Sequence, residues 1–132
     1  MRDVSELRKR DRLLLSKDAN YPWLILVPRL PDLVELIDLE ENAQEQLLGE
    51  IAAAARALKE ITKCDKLNIA ALGNQVPQLH VHVIAGRHAE AALPKTVWGM
   101  KPPLAYEQGE QAILLNALHQ LLTFRGPPGM DR

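Results

Sequence analysis

Cysteine is almost absent from this chain. Cys64 is the only one, so no internal disulfide can form and a reducing compartment is the expected setting. Charge of one sign is missing too. Sixteen Lys and Arg stand against seventeen Asp and Glu, and the net charge of −1 offers no field for non-specific nucleic-acid binding. No apolar run approaches the ~20 residues of a membrane-spanning helix, and the opening residues Met-Arg-Asp-Val-Ser-Glu-Leu-Arg-Lys-Arg are too charged for a secretory signal. Internal repeats and low-complexity tracts are also lacking. The expectation left standing is a cytoplasmic protein with neither nucleic acid nor membrane among its partners. Its 132 residues can bury a core without staples, in one domain over 1–132.

What is present reads as alternating strands and helices. Residues 1–11 are charged and suit a surface segment, Leu13-Leu14-Leu15 a short edge strand, and residues 16–20 a turn. Residues 23–27, bounded by Pro22 and Pro28, are apolar without alternation, as in a strand covered on both faces. One face should meet a helix, the other a second helix, a loop or a partner subunit. Asp38 is a good N-cap, and Glu41 would complete a capping box, so the main helix is predicted to open there. Ala43, Leu47, Ile51, Ala54, Leu58 and Ile61 follow at three- and four-residue intervals, a core-facing stripe rather than a cofactor box.

Residues 66–72 and 79–86 read as two more strands, and their short polar connection favours an antiparallel pair. Pro94, Gly99, Pro102 and Pro103 break up residues 87–105. A last helix is predicted over 106–124, with Ile113, Leu114, Ala117, Leu118, Leu121 and Leu122 on its apolar face and Gly126-Pro127 as its stop. The fold class is α+β: a mostly antiparallel sheet of about five strands packed on one long helix, plus a C-terminal helix.

The chemistry concentrates in Gln78-Leu79-His80-Val81-His82-Val83-Ile84. As a strand, this run sends Gln78, His80, His82 and Ile84 to one face and Leu79, Val81, Val83 and Ala85 to the other. The second face suits a core. The first sets an amide and two imidazoles roughly 7 Å apart per step, where a solvated face would more usually carry Thr, Lys or Glu.

With its lead-in, Leu67-Asn68-Ile69-Ala70-Ala71-Leu72-Gly73-Asn74-Gln75-Val76-Pro77, this strand resembles the histidine triad (HIT) family, whose signature is three histidines alternating with hydrophobic residues after an Asn, a Gly and a small polar loop. Pro22-Trp23-Leu24-Ile25-Leu26-Val27-Pro28-Arg29 is similar to the family's strand ending in Val-Ile-Pro and a basic residue. The resemblance covers about residues 12–90, with a C-terminal loop and helix over 91–126 beyond it.

The resemblance implies a nucleotidyl hydrolase or transferase acting at the α-phosphate of a nucleoside phosphoramidate, a dinucleoside polyphosphate or a similar conjugate. His80 would be the nucleophile, passing through a covalent nucleotidyl-histidine, and a neutral imidazole titrating near pH ~6.5 suits that task. His82 would contact phosphate oxygens, where a donor stabilises developing charge. Gln78, the third member of the row, would help orient a neighbour. Asn68, Gly73, Asn74 and Gln75 would contact substrate, Gly73 by letting the backbone approach an anion. A purine nucleotide is the expected partner, no cofactor is expected, and the family is commonly homodimeric.

The chain departs from the family pattern in three ways. The first triad position is Gln78, which hydrogen-bonds but cannot titrate. Asn68 lies twelve residues before His80, one fewer than usual. Trp23 stands where the family often has His, and the ribose-binding acid aligns only with a gap: Asp18 is the candidate, against a plain turn-forming Asp. Trp98 would cover the nucleotide as an aromatic lid or merely pin its loop. His88, His119, Arg29 and Lys95 have ordinary surface readings, and Cys64 that of an inert buried thiol. Two other functions stay open: nucleotide binding with weakened or lost catalysis, motivated by Gln78, and a zinc site, for which His80, His82 and His88 still lack a fourth ligand.

Overall fold

The structure, a computed structural model, describes residues 2–3, 11–16, 21–72, 76–87, 105–107 and 109–124. Its five strands are β1 (Arg2–Asp3), β2 (Asp11–Leu15), β3 (Trp23–Pro28), β4 (Lys66–Ala71) and β5 (Val81–Gly86), and its helices are α1 (Glu41–Thr62) and α2 (Glu110–Phe124). They form one antiparallel sheet in the order β1-β2-β3-β5-β4. The histidine strand, last in sequence, is thereby inserted between β3 and β4. The leucine run of β2 is not an edge, because β1 pairs along it through Arg2–Leu15 and Asp3–Leu14.

Register assigns the faces. Residues opposite one another in an antiparallel pair share a face. Leu24 opposes both Leu15 and Val83, and Leu26 opposes both Leu13 and Val81. All six are buried in one core with Leu79, Ala85, the α1 residues Leu47, Ala54 and Leu58, and Leu115, Leu118 and Leu122 of α2. Both helices therefore contribute to the core on this face. The small side chains Ala53, Ala54, Ala55 and Ala57 are buried, which lets α1 lie close to its neighbours. The opposite face carries Trp23, Ile25, His82 and Ile84, with Tyr21 packed against Trp23 and Ile84.

Several boundaries differ from the sequence expectations, each for a local reason. The α1 helix opens at Glu41, with Glu40 as an N-cap that makes no side-chain bond. Asp38 is spent one element earlier: it ends a 3-10 turn over Leu36–Asp38, and its carboxylate accepts the Glu35 N–H at 2.8 Å and the Val34 N–H at 3.2 Å. The α2 helix starts at Glu110 rather than 106, because Gly109 adopts φ +87°. Its buried edge runs through Leu115, Leu118 and Leu122, leaving Ile113 71% exposed. The α1 stripe also contains a residue that periodicity in apolar positions could not flag. Glu50 is 2% exposed, and neither carboxylate oxygen has a hydrogen-bond partner among the described residues.

At its far end α1 stops on Lys63, in the left-handed region at φ 55°, with its N–H bonded to Lys59 O at 2.8 Å. The guanidinium of Arg87, just past β5, donates to the Thr62 carbonyl and to the Lys63 carbonyl at 3.2 Å. A cation on the last carbonyls complements the helix dipole. It also ties the exit of the histidine strand to the end of α1.

Candidate functional site

The β5 ladder begins at Val81, so Gln78 and His80 lie just ahead of the strand rather than inside it. The Leu79 N–H bonds to the Leu33 carbonyl at 2.8 Å, which holds the approach segment against the 29–38 loop instead of a strand. That detour brings two features together. His80 sits in the mouth of a pocket of about 250 Å³, and Val34, Glu35, Leu36, Leu72 and Gln78 are among its walls. Sequence reasoning assigned no role to Val34, Glu35 or Leu36. They are more than 40 positions from His80, and no local pattern marks them.

Nδ1 of His80 lies 2.6 Å from the main-chain carbonyl oxygen of Gln78. A carbonyl oxygen only accepts, so Nδ1 carries a proton, and in the neutral ring Nε2 then keeps its lone pair. The backbone of Gln78, not its side chain, therefore makes this contact with His80. The amide nitrogen of the Gln78 side chain is buried without a hydrogen-bond partner among the described residues.

His82 has the reverse arrangement. The indole N–H of Trp23 donates to its Nδ1 at 2.9 Å. Indole only donates, so Nδ1 of His82 is the unprotonated nitrogen and the neutral ring carries its proton on Nε2. His82 is 8% exposed. Burial first, and the neighbouring imidazole of His80 second, lower its pKa from 6.5 to about 4. The two imidazoles stand edge to face with centroids 5.0 Å apart, and Trp23 meets His82 in a similar edge contact at 5.5 Å. The pair thus offers one ring nitrogen with a free lone pair and another with a proton.

Asn68 lies half-buried on β4 opposite Ile84, two residues from Ala70, which opposes His82. It therefore shares the face of His82, next to the histidines but in no contact given by the geometry. Gly73, Asn74, Gln75, Asp18 and Trp98 lie outside the described residues, as do His88 and Lys95. His119 is on α2, Arg29 is exposed and Cys64 is buried. Among the described residues no three His, Cys, Asp or Glu side chains gather as a metal site. No described helix is long and apolar enough to cross a membrane.

An antiparallel sheet backed by two helices, with a Gln-x-His-x-His segment entering an inner strand, defines a histidine triad architecture. The chain belongs to the HIT domain family, whose family model matches residues 8–89. Among solved structures it is similar to a histidine triad protein from Bradyrhizobium japonicum, with 59% identity and a TM-score of 0.84 over 86% of this chain and 85% of that one. It is also similar to a histidine triad protein from Marinobacter aquaeolei, with 40% identity and a TM-score of 0.82 over 86% of this chain and 83% of that one. A hypothetical histidine triad nucleotide-binding protein from Sulfolobus tokodaii shares the fold at 16% identity, with a TM-score of 0.65 over 86% of this chain and 78% of that one. Among curated proteins none matches significantly.

Proposed function

We propose that the protein is a nucleotidyl hydrolase or transferase that works through a covalent intermediate on His80, with a variant triad of Gln78, His80 and His82. The observation that carries this reading is the 2.6 Å contact between His80 Nδ1 and Gln78 O, because in the neutral ring it puts the proton on Nδ1 and leaves Nε2 as the nucleophilic nitrogen, oriented by a backbone group. Nε2 attacks the α-phosphorus of a nucleotide conjugate. The bond from phosphorus to the leaving oxygen or nitrogen breaks, and the leaving group takes a proton from water. Water then attacks phosphorus, giving up a proton to the hydroxide left by the first step, the N–P bond returns its electrons to Nε2, and a nucleoside monophosphate departs. The Nε2–H of His82 donates to a phosphate oxygen as charge builds there.

The nucleotide-binding description of the Sulfolobus tokodaii protein agrees with a nucleotide ligand. Asn68, which shares the face of His82, is the proposed ligand contact on β4, and Gly73, Asn74, Gln75, Asp18 and Trp98 complete the set proposed from sequence. Homodimerisation is part of the same reading. β4 is the outer strand of the sheet, and Ile69 on it and Leu72 just past it are exposed, a surface a second copy can cover.

The test uses radiolabelled adenosine phosphoramidate and a dinucleoside polyphosphate. Protein quenched in alkaline detergent, which spares the acid-labile N–P bond, should carry label on His80, AMP should accumulate, and His80→Ala should abolish both. If AMP raises the melting temperature while neither substrate turns over, the chain binds nucleotides without this catalysis, and the enzymatic reading fails.

A further inference from the structure

Trp23 is the residue by which this chain departs from its family in the strand next to the histidines, and it is in direct contact with one of them. It opposes Ile84 across the β3–β5 ladder, while Ile25 opposes His82. Its indole therefore reaches diagonally along the shared face, and the 2.9 Å bond to His82 Nδ1 spans 59 residues of sequence. An imidazolium carries protons on both nitrogens and could not accept this bond, so the contact is compatible only with neutral His82 holding its proton on Nε2. His80 holds the opposite tautomer through Gln78 O. Two adjacent imidazoles left to themselves would exchange roles or share a proton. Here each is committed by a partner that cannot reverse, a carbonyl that never donates and an indole that never accepts.

We propose that Trp23 is a positioning residue that fixes His82 as a neutral Nε2–H donor, so that the site keeps one lone pair and one proton on its paired imidazoles without needing a charged histidine. The proposal rests on the reading of His80 as nucleophile and His82 as phosphate contact given above. Burial acts in the same direction, with His82 held at about 4. His80 is the adjacent titratable ring, Tyr21 packs beside Trp23 and Ile84, and Lys66, opposite Gly86, is exposed at the far end of β4. From β4 the nearer same-face neighbours, Asn68 and Ala70, carry no charge. A histidine at position 23 could itself titrate, whereas indole donates the same hydrogen bond at every pH of interest.

The test is long-range proton–nitrogen NMR on the full chain with labelled histidine, over about pH 5 to 8. In the parent protein His82 should show protonated Nε2 and bare Nδ1 throughout. Trp23→Phe keeps a ring but removes the donor, and should convert His82 to a tautomer mixture that titrates at higher pH. On adenosine phosphoramidate the same variant should lose about tenfold or more in kcat, the scale of misplacing a histidine tautomer, with little change in KM. Trp23→His should recover the Nε2–H form near neutral pH and part of kcat. A parent protein whose His82 is Nδ1-protonated or charged at pH 7 overturns the proposal without any variant. So does an unchanged His82 spectrum in folded Trp23→Phe. Because the NMR arm needs no substrate, a protein with the expected tautomers but no turnover would defeat the enzymatic reading while leaving the role of Trp23 intact.

Discussion

The Nδ1 atom of His80 lies 2.6 Å from the main-chain carbonyl of Gln78, so position 78 contacts its neighbour through an atom every amino acid possesses. This separates the backbone contribution of position 78 from anything its side chain does. Gln78→Ala keeps the carbonyl and is expected to lower kcat on a nucleotide conjugate by less than about tenfold, whereas His80→Ala removes the proposed nucleophile and should cost about a thousandfold or more. Steady-state kinetics of the two variants check this. A Gln78→Ala loss as large as that of His80→Ala would mean the side chain itself is needed.

The low pKa of His82 makes stability depend on pH with a definite sign. Between pH 6.5 and about 4 the unfolded chain binds a proton at this residue that the folded chain refuses, so its contribution is present above that window and lost as pH falls through it. The loss should be on the order of 2 kcal/mol by about pH 4.5. Urea unfolding of the parent and of His82→Asn at pH 7 and about pH 4.5 reads it directly. The stability gap between them should change by roughly that amount, with the parent losing more, and a gap independent of pH would contradict the assignment.

Glu50 is a stability defect built into α1. Its carboxylate is buried with no hydrogen-bond partner among the described residues, and burying an unpaired polar or charged group is costly. Glu50→Met, of similar volume, is expected to stabilise the protein by about 1–3 kcal/mol. Leu58→Ala, one of the most deeply buried side chains of the same helix, should lose about 2–5 kcal/mol. Chemical denaturation of both variants tests the contrast, and a destabilised Glu50→Met would show that the carboxylate has a structural partner after all.

Arg87 joins the end of β5 to the last carbonyls of α1. Arg87→Ala is expected to cost about 0.5–1 kcal/mol, since the pairing is exposed and screened, and to lower the melting temperature by about 2–5 °C. High salt should shrink the difference. A melting temperature equal to that of the parent at low salt would mean the guanidinium contributes nothing to the helix end.

The sequence by itself determined which side of each element is apolar. Alternation through Leu79, Val81, Val83 and Ala85 placed those residues in the core and left His82 and Ile84 on the other face, and the stripe through Leu47, Ala54 and Leu58 set the inner side of α1. Side-chain period depends only on local backbone geometry, so it is legible without the rest of the chain. The same local signals misplaced the start of α1, because Asp38 caps whichever neighbouring turn reaches it first.

Only the tertiary structure decided what the histidines touch. The Trp23–His82 bond depends on which strands pair and in what register, and the walls from Val34 to Leu36 depend on a loop folding back onto Leu79. Those relations join residues far apart in sequence, where no periodicity reaches and a one-residue slip would turn every side chain to the opposite face.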